Sequence, residues 1–229
     1  MENVTKALLI AGGVLFAILV LTLLVIFYNR MSSYYTEQYD SKMVEQITEF
    51  NNKFENYNGK TIRGSELISV MNKVIDYNRT YSDMKGAERV TLTIDLKGQQ
   101  NSFKYDPNSK SLFNTSKITN ANGNDSQLNN ISGLGSQLVS STKIDDTKLQ
   151  SLSANIEVVC NNKDIETRNN KISKILNKNI SSIDITKIQN ATMQYYQLTQ
   201  FKRATFKCTE VVHSTKSGVI NKLSFEITT

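Results

Sequence analysis

The sequence contains few of the residues that catalytic and metal sites most often use. Among 229 residues, histidine occurs once, as His213, so a metal site with two histidine ligands is excluded. His213 lies in a predicted strand and is expected to be structural. Cysteine occurs twice, as Cys160 and Cys208, and these two positions form no Cys-x-x-Cys motif for zinc or redox chemistry.

Motifs that bind phosphates or nucleic acids are lacking as well. Gly133 and Gly135 lack the third glycine of a dinucleotide loop, and no Gly-Lys-Ser or Gly-Lys-Thr phosphate loop occurs. The net charge of +6 arises from 27 basic and 21 acidic residues, without the block of like charges typical of a nucleic-acid arm. We interpret the aromatic and basic run Tyr195–Arg203 as a strand edge rather than a stacking surface. We therefore expect no enzyme activity, no catalytic, cofactor or metal residue, and no nucleic-acid partner.

One long apolar run is present near the start of the chain. Residues Ala7 to Tyr28 carry no charge, and these 22 residues at about 1.5 Å each extend about 33 Å, close to the thickness of the hydrocarbon core of a bilayer. A cleaved signal peptide has a shorter apolar core and a small-x-small cleavage site, so we predict a retained single-pass anchor at residues 1–30. Small residues would permit close helix contact in an oligomer, and a tyrosine would lie at the headgroups. The anchor residues singled out are Ala7, Gly12, Gly13, Ala17 and Tyr28.

The direction of this helix through the bilayer is not decided by flanking charge. Lys6 and the amino terminus lie on one side, and Arg30 and Lys42 lie on the other. A long C-terminal domain is translocated largely regardless of charge, which favours a soluble domain outside the cytoplasm. The expected location is the cell membrane, with the lipid bilayer as a partner.

Helical periodicity continues beyond the apolar run. An amphipathic helical extension is predicted at residues 31–58, because apolar residues recur every three or four positions from Met43 to Tyr57 and Gly59 then ends the helix. This apolar stripe is expected to pack on the domain that follows. Ser65 is predicted to cap a second, short helix from Glu66 to Asn78.

The remaining residues, 59–229, predict a soluble α+β domain with a mainly antiparallel sheet. Two hairpins are indicated by alternation and turn residues, and an exposed polar loop or insertion, which could include one short helix, is expected at about residues 114–150. Two further elements are a strand at Ser153–Cys160 and a polar helix at Asp164–Leu176. The hairpins are Arg89–Leu96 with Ser102–Tyr105, and Ala204–His213 with Val219–Ile227.

The cysteines have two interpretations. Each lies in a predicted strand, so outside the cytoplasm Cys160 and Cys208 could form a disulfide across the sheet. The alternative is two separate buried thiols.

The order of elements resembles that of type IV pilin-like proteins. The hydrophobic half, Ala7 to Tyr28, precedes an amphipathic half that ends near Asn56, and a small antiparallel sheet follows. In that family the first half holds the subunit in the membrane and later packs filament cores, although no leader ending in glycine precedes Ala7 here. The sequence is also similar to single-pass envelope proteins of low-GC Gram-positive bacteria, in its first ten residues and at Phe206–Thr209.

The resemblance implies a non-enzymatic envelope protein that acts through assembly or protein contacts, as a pilin-like or secretion-apparatus component. Its expected partners are copies of itself or an envelope protein complex. The alternative function is an extracytoplasmic ligand-binding or sensing domain on a single-pass anchor. For that function the contact candidates are the loop at about 114–150 and the aromatic run that begins at Tyr195.

Overall fold

Helix α1 runs from Glu2 to Glu55 and is followed by a turn in which Gly59 has a φ of 70°. The structure, a computed structural model, describes residues 2–81, 88–120 and 124–228, and of residues 33–43, 46 and 81 only the backbone. The chain forms two compact units, Met1–Phe50 and Asn51–Thr229. The predicted end of the helix near Asn56 is confirmed.

The predicted apolar stripe of α1 is only partly a core surface. Phe54 is fully buried in the second unit, and the ring centroid of Tyr57 lies 6.4 Å from that of Phe225. Val44, by contrast, is 62% exposed. The side chain of Met43 lies outside the described residues.

The second unit contains a five-stranded, mainly antiparallel sheet, which together with its helices confirms the α+β fold class. The strand order is β1-β4-β5-β2-β3, and every neighbouring pair is antiparallel except β2 and β5. One face of the sheet is apolar and buried, because alternate residues such as Leu92 and Ile94 point into the core. The strands are β1 Thr61–Arg63, β2 Thr91–Asp95, β3 Lys117–Thr119, β4 Thr205–His213 and β5 Ile220–Ile227.

The C-terminal hairpin is confirmed, whereas the first predicted hairpin is wrong. Strand β4 pairs with β5, and Gly218 in the intervening turn has a φ of 70°. Strand β2 pairs with β3 and not with Ser102–Tyr105, because Lys97 and Gly98 both have positive φ and lead into a 3₁₀ helix, Gln99–Asn101. Phe103 is buried 5.1 Å from the ring of Phe113, so its apolar character reflects a core contact of a loop.

Helices form the second layer and extend through the segment predicted as a polar loop. The prediction of a loop at about 114–150 is wrong: this stretch contains β3, α3, α4 and the start of α5. Its buried residues Leu128, Ile131, Leu134 and Leu138 recur at three- and four-residue intervals among asparagine and serine, which is helical periodicity. The helices are α2 Gly64–Tyr81, α3 Ser126–Ser132, α4 Leu134–Thr142, α5 Asp146–Ala154, α6 Ile156–Val159, α7 Ile165–Leu176 and α8 Ile185–Arg203.

Two other predicted strands are also helical. Ser153–Cys160 contains the end of α5 and all of α6, because Leu152, Ile156 and Val159 are buried on one helical face. Tyr195–Arg203 is the second half of α8 rather than a strand edge. The predicted helix at Asp164–Leu176 is confirmed as α7, and the second helix is confirmed as α2 with a longer range that begins before Ser65.

Aspartates begin three of the helices. The side chains of Asp145, Asp164 and Asp184 each accept a hydrogen bond from the backbone N–H three residues later, at the N-termini of α5, α7 and α8. This contact satisfies one of the backbone donors that a helix leaves free at its first turn. The polar composition of this region therefore includes the signals that start its helices.

Buried amides connect the layers. Asn78 of α2 accepts from the N–H of Val90 at 2.8 Å and donates to the C=O of the same residue at 3.0 Å. Asn120 accepts from the N–H of Leu92 at 2.7 Å, and both amides donate to Asp125. Because an amide offers a donor and an acceptor side by side, these side chains replace a missing strand partner where β2 begins.

Two further amides make the same two-point contact. Gln197 of α8 accepts from the N–H of Leu112 and donates to the C=O of Lys110. Asn51 accepts from the N–H of Ile220 at 2.9 Å and donates to the C=O of Gly218 at 2.8 Å. Asn51 therefore joins the last turns of α1 to the hairpin between β4 and β5, where the chain enters the second unit.

Candidate functional site

The apolar helix of the first unit leaves its hydrophobic side chains uncovered. The segment Glu2–Ser32 has a mean hydropathy of 3.0 over its most apolar window, and none of that window is buried. The five predicted anchor residues are all exposed: Ala7, Gly12, Gly13, Ala17 and Tyr28. Within the described ranges this is the one helix long and apolar enough to cross a membrane, a property that a signal sequence shares.

The small residues of this helix leave space at its surface. A Cβ built on Gly12 or Gly13 would meet no atom within 4 Å outside its own helix backbone. At the start of the helix, Lys6 and Glu2 form an exposed ion pair at 2.9 Å. Another helix could therefore approach the backbone at these glycines without displacing any part of the chain.

The two cysteines are free thiols, so of the two interpretations the disulfide is not formed. The prediction that both cysteines lie in strands was wrong, because Cys160 follows α6 and only Cys208 lies in a strand. Burial raises the pKa of Cys160 to about 11, and burial also raises the pKa of Cys208. At neutral pH both sulfurs therefore remain protonated, which is unfavourable for nucleophilic attack and for metal binding.

His213 and its neighbour Ser214 do not form a catalytic pair. His213 Nε2 lies 3.1 Å from Glu55 Oε2, with both side chains nearly half exposed. The hydroxyl of Ser214 instead donates to Glu88 at 2.7 Å, and Asn221 donates to the same carboxylate at 3.1 Å. These two donors lower the pKa of Glu88, so the carboxylate holds the hairpin turn rather than activating the serine.

The aromatic run in α8 is part of the packing between helices. Tyr195 is buried, and its hydroxyl donates to Asp146 of α5 at 3.0 Å; burial first, and then this carboxylate, raises the pKa of Tyr195 to about 12. The ring of Tyr196 meets Tyr105 edge-on, with centroids 5.9 Å apart. Neither tyrosine presents a free row of rings on which successive bases could stack.

Two open grooves lie on the helical layer. One follows the end of α7, where Lys174 and Lys178 lie among asparagines, and the other separates α4 from the start of α8. Of the side chains that the structure describes, Gln100 has the one buried polar atom without a hydrogen-bond partner, and it lines neither groove. No group of three or more metal-ligating side chains occurs in the described ranges.

A cluster of exposed positive charge lies where β1 meets the start of β4. Five exposed cations surround this edge, and we call them the cationic edge: Lys60, Arg63, Lys202, Arg203 and Lys207. The register sets Thr61 opposite Lys207 and Arg63 opposite Thr205. Lys202 lies in the last turn of α8, next to Gly64, whose added Cβ would lie 3.2 Å from the Cα of Lys202.

Elsewhere on the exposed face of the sheet, lysines have carboxylate partners. Lys97 lies 2.7 Å from Glu226, and Lys222 lies 2.7 Å from Glu210. No ion pair among the described side chains includes a member of the cationic edge. Glu226 is the register partner of Lys207, but its carboxylate is taken by Lys97.

This cationic edge was missed by the sequence analysis, apart from the basic pair at Lys202 and Arg203. Its members come from two segments about 140 residues apart, and only the pairing of β1 with β4 brings them together. A local pattern could have indicated each strand but not their register. The function of this chain has to be argued from its own surfaces, because no protein-family model, curated protein or solved structure matches it.

Proposed function

We propose that this protein is a non-enzymatic, single-pass membrane protein that presents its α+β domain outside the cytoplasm and acts through assembly or protein contacts. In this proposal it is a pilin-like or secretion-apparatus component of a cell envelope. Residues 1–30 anchor the chain in the bilayer, and the second unit makes the contacts.

The observation that carries the proposal is the uncovered apolar helix, Glu2–Ser32. Exposed apolar surface costs about 25 cal/mol per Å² in water, so this helix is stable only if lipid or other apolar surface covers it. A helix of 31 residues at about 1.5 Å each is longer than a hydrocarbon core about 30 Å thick. A bilayer would cover the apolar side chains, and its hydrocarbon core is thin enough for this helix to cross.

The properties of the second unit support contact rather than catalysis. Both thiols have raised pKa values, and the hydroxyl of Ser214 donates to a carboxylate instead of to a base. The alternative of a ligand-binding or sensing domain relied on the polar segment at 114–150 and on the aromatic run at Tyr195. The first contains packed helices, and Tyr195 is buried, so neither observation favours that alternative.

Topology mapping tests the anchor and its direction. The native thiols are poor targets because burial raises the pKa of both, so an exposed cysteine is introduced in the domain as Ser136→Cys and, in a second variant, before the apolar run as Asn3→Cys. A membrane-impermeant maleimide on intact cells is expected to label the first variant and to label the second only after lysis. The reverse pattern would overturn the proposed orientation, and recovery of the chain in the soluble fraction would overturn the anchor.

Assembly through the helix is tested at its small residues. Gly13→Leu adds bulk where the chain itself has nothing within 4 Å, so it is not expected to disturb a single subunit. The control is Val14→Leu, which also adds bulk to the helix surface but at the next position, where the side chain is already large and exposed. If copies pack through the glycine face, cross-linking in membranes yields oligomers for the wild type and the control but mainly monomers for Gly13→Leu. Monomers for all three would overturn assembly through the helix.

A further inference from the structure

Strand β1 leaves a row of backbone groups open at the edge of the sheet. The sheet order places β1 at one end, with β4 as its single neighbour. The C=O of Lys60 accepts from Cys208, and the N–H of Gly64 donates to Ala204, so even-numbered residues of this segment point their backbone groups toward β4. The N–H and C=O of Thr61 and the N–H of Arg63 therefore point outward.

These outward groups are accessible. Thr61 and Arg63 are both exposed, and none of the backbone hydrogen bonds that the described residues make outside helices and strands uses the N–H of either residue. Such an edge can pair with another extended chain through the same hydrogen bonds that join the strands within a sheet.

The cationic edge surrounds these groups on both faces of the sheet. Ile62 and Phe206 are buried, so Arg63 and Lys207, which alternate with them, lie on the exposed face. Lys202 and Arg203 end α8 in the helical layer, on the other side of the edge. An added strand would place alternate side chains on the two faces, and carboxylates on either face would have a cation nearby.

The same edge offers nothing to an apolar partner. Outside α1, the large hydrophobic residues that the described part of the chain exposes are Tyr105 and Ile165, and neither belongs to β1, β4 or the end of α8. The chemistry of the surface is therefore backbone pairing combined with positive charge.

We propose that β1 and the cationic edge form a docking site for an extended acidic segment of a partner protein, which adds to the sheet as a sixth strand beside β1. Backbone hydrogen bonds would supply the alignment, and the five cations would select acidic sequences. This inference rests on the proposed function in so far as it names the kind of protein contact that the domain makes. Asn51 and the hairpin turn lie at the opposite end of β4 and β5, so a partner at β1 would not displace the point where the chain enters the domain.

Binding of a defined probe tests this proposal. The full chain in detergent micelles is titrated against a fluorescent, end-capped peptide that alternates glutamate and threonine over seven residues. We expect saturable binding that Arg63→Glu and Lys207→Glu each weaken about tenfold or more, because each reverses a charge at the site. The matched control is Lys117→Glu on β3 at the other edge of the sheet, which is expected to leave binding unchanged. Equal weakening by the control, or no binding by the wild type, would overturn the proposal.

Backbone pairing is tested separately from charge. The same peptide with N-methyl groups on alternate residues keeps its carboxylates but cannot donate to the C=O of Thr61, so its binding is expected to be lost. If the methylated peptide binds as well as the parent, the surface recognises charge alone and strand addition is wrong.

The two proposals fail in distinguishable ways. A chain that fractionates with membranes but does not bind the acidic peptide would overturn the docking site and leave the anchor intact. A chain that binds the peptide but is recovered in the soluble fraction would overturn the anchor and leave the docking site intact.

Discussion

The two units of the chain place the same apolar residue types in opposite surroundings. In the first unit, Leu8, Leu15 and Phe27 are each more than 60% exposed, whereas Leu92 and Phe225 in the second unit are completely buried. Exposure of a leucine or phenylalanine side chain to water is unfavourable in both units. The second unit therefore covers its own apolar side chains, whereas the apolar side chains of the helix Glu2–Ser32 are left uncovered by the chain. Substitutions that charge the exposed helix, or that disturb packing and hydrogen bonds in the second unit, test this difference between the units.

The largest effect is expected from charging the exposed helix. Arginine near the centre of a membrane helix costs about 2.5 to 3.5 kcal/mol, so the double variant Leu15→Arg with Leu19→Arg loses about 6 kcal/mol of insertion free energy. Because both side chains are exposed and belong to no part of the buried core, the fold of the domain is expected to survive. Carbonate extraction of cell membranes should move the variant from the pellet to the supernatant.

The matched control keeps the positions and changes only the shape of the side chains. Leu15→Ile with Leu19→Ile preserves the hydropathy and should remain in the membrane pellet. If the arginine variant also remains there, the helix is held by something other than burial in lipid, and the contrast between the two units is wrong.

In the second unit the largest loss of stability is expected from a substitution at Gly64, because there is no room for a side chain at this position. A Cβ at this position would lie 1.8 Å from the carbonyl oxygen of Phe201, so Gly64→Ala forces α2 and α8 apart. Overpacking of this kind costs about 3 kcal/mol. Urea unfolding of the detergent-solubilised chain, followed by circular dichroism, should show a much lower midpoint.

Gly135→Ala is the control for this substitution, and it should act in the opposite direction. The nearest atom to its added Cβ is a methyl carbon of Leu198 in α8, 3.9 Å away, which is an ordinary van der Waals contact. Alanine in a helix is favoured over glycine by about 0.5 to 1 kcal/mol, so the midpoint should rise slightly. Equal losses at both glycines would mean that close packing is not the cause.

Local patterns predicted much of the second unit, but they failed where neighbours decide the structure. The hairpin of β4 and β5 and helix α7 carry their own alternation, turn glycine and capping aspartate, so each was predicted from one segment. In the stretch 114–150 the buried Leu128 and Leu138 were outweighed by the surrounding asparagine and serine. That segment becomes helical because α8 and α2 cover its few apolar residues.

The candidate sites show the same limit. The apolar helix could be predicted completely, because length and hydropathy are properties of one continuous segment. The cationic edge could not, because Arg63 and Lys207 become neighbours only through the pairing of β1 with β4. The disulfide, one of the two interpretations of the cysteines, assumed that both lie in strands, and the position of Cys160 after α6 removed that basis.

Buried amides are expected to produce an intermediate effect. Asn78→Ala leaves the N–H of Val90 without the acceptor that the side chain supplies at 2.8 Å, and a buried donor without a partner costs about 1 to 3 kcal/mol. Asn56→Ala is the control, because its side chain makes one exposed hydrogen bond to Asn52 and water can replace it. The same urea assay should separate the two variants. Similar midpoints would show that the amide contact at the start of β2 contributes little.

The smallest effect is expected at the cap of α5, and it depends on pH. The hydroxyl of Thr147 and then the N–H of Lys148 lower the pKa of Asp145 from 3.8 to about 2. Because the pKa is lower in the folded state, the charged cap contributes its stability above about pH 4 and loses it as the pH falls through about 2. Asp145→Asn keeps the hydrogen-bond acceptor but not the charge. It should therefore be slightly less stable than the wild type at pH 7, and the difference should shrink as the pH falls from about 4 to about 2.

The control for this cap is Glu157→Gln, which removes an exposed carboxylate that accepts no hydrogen bond from the described residues. The difference in unfolding midpoint between Glu157→Gln and the wild type should not shrink at low pH, whereas the difference for Asp145→Asn should. Thermal unfolding at several pH values between 2 and 7 provides the comparison. A constant difference between Asp145→Asn and the wild type across this range would show that the carboxylate is not stabilised by the folded state.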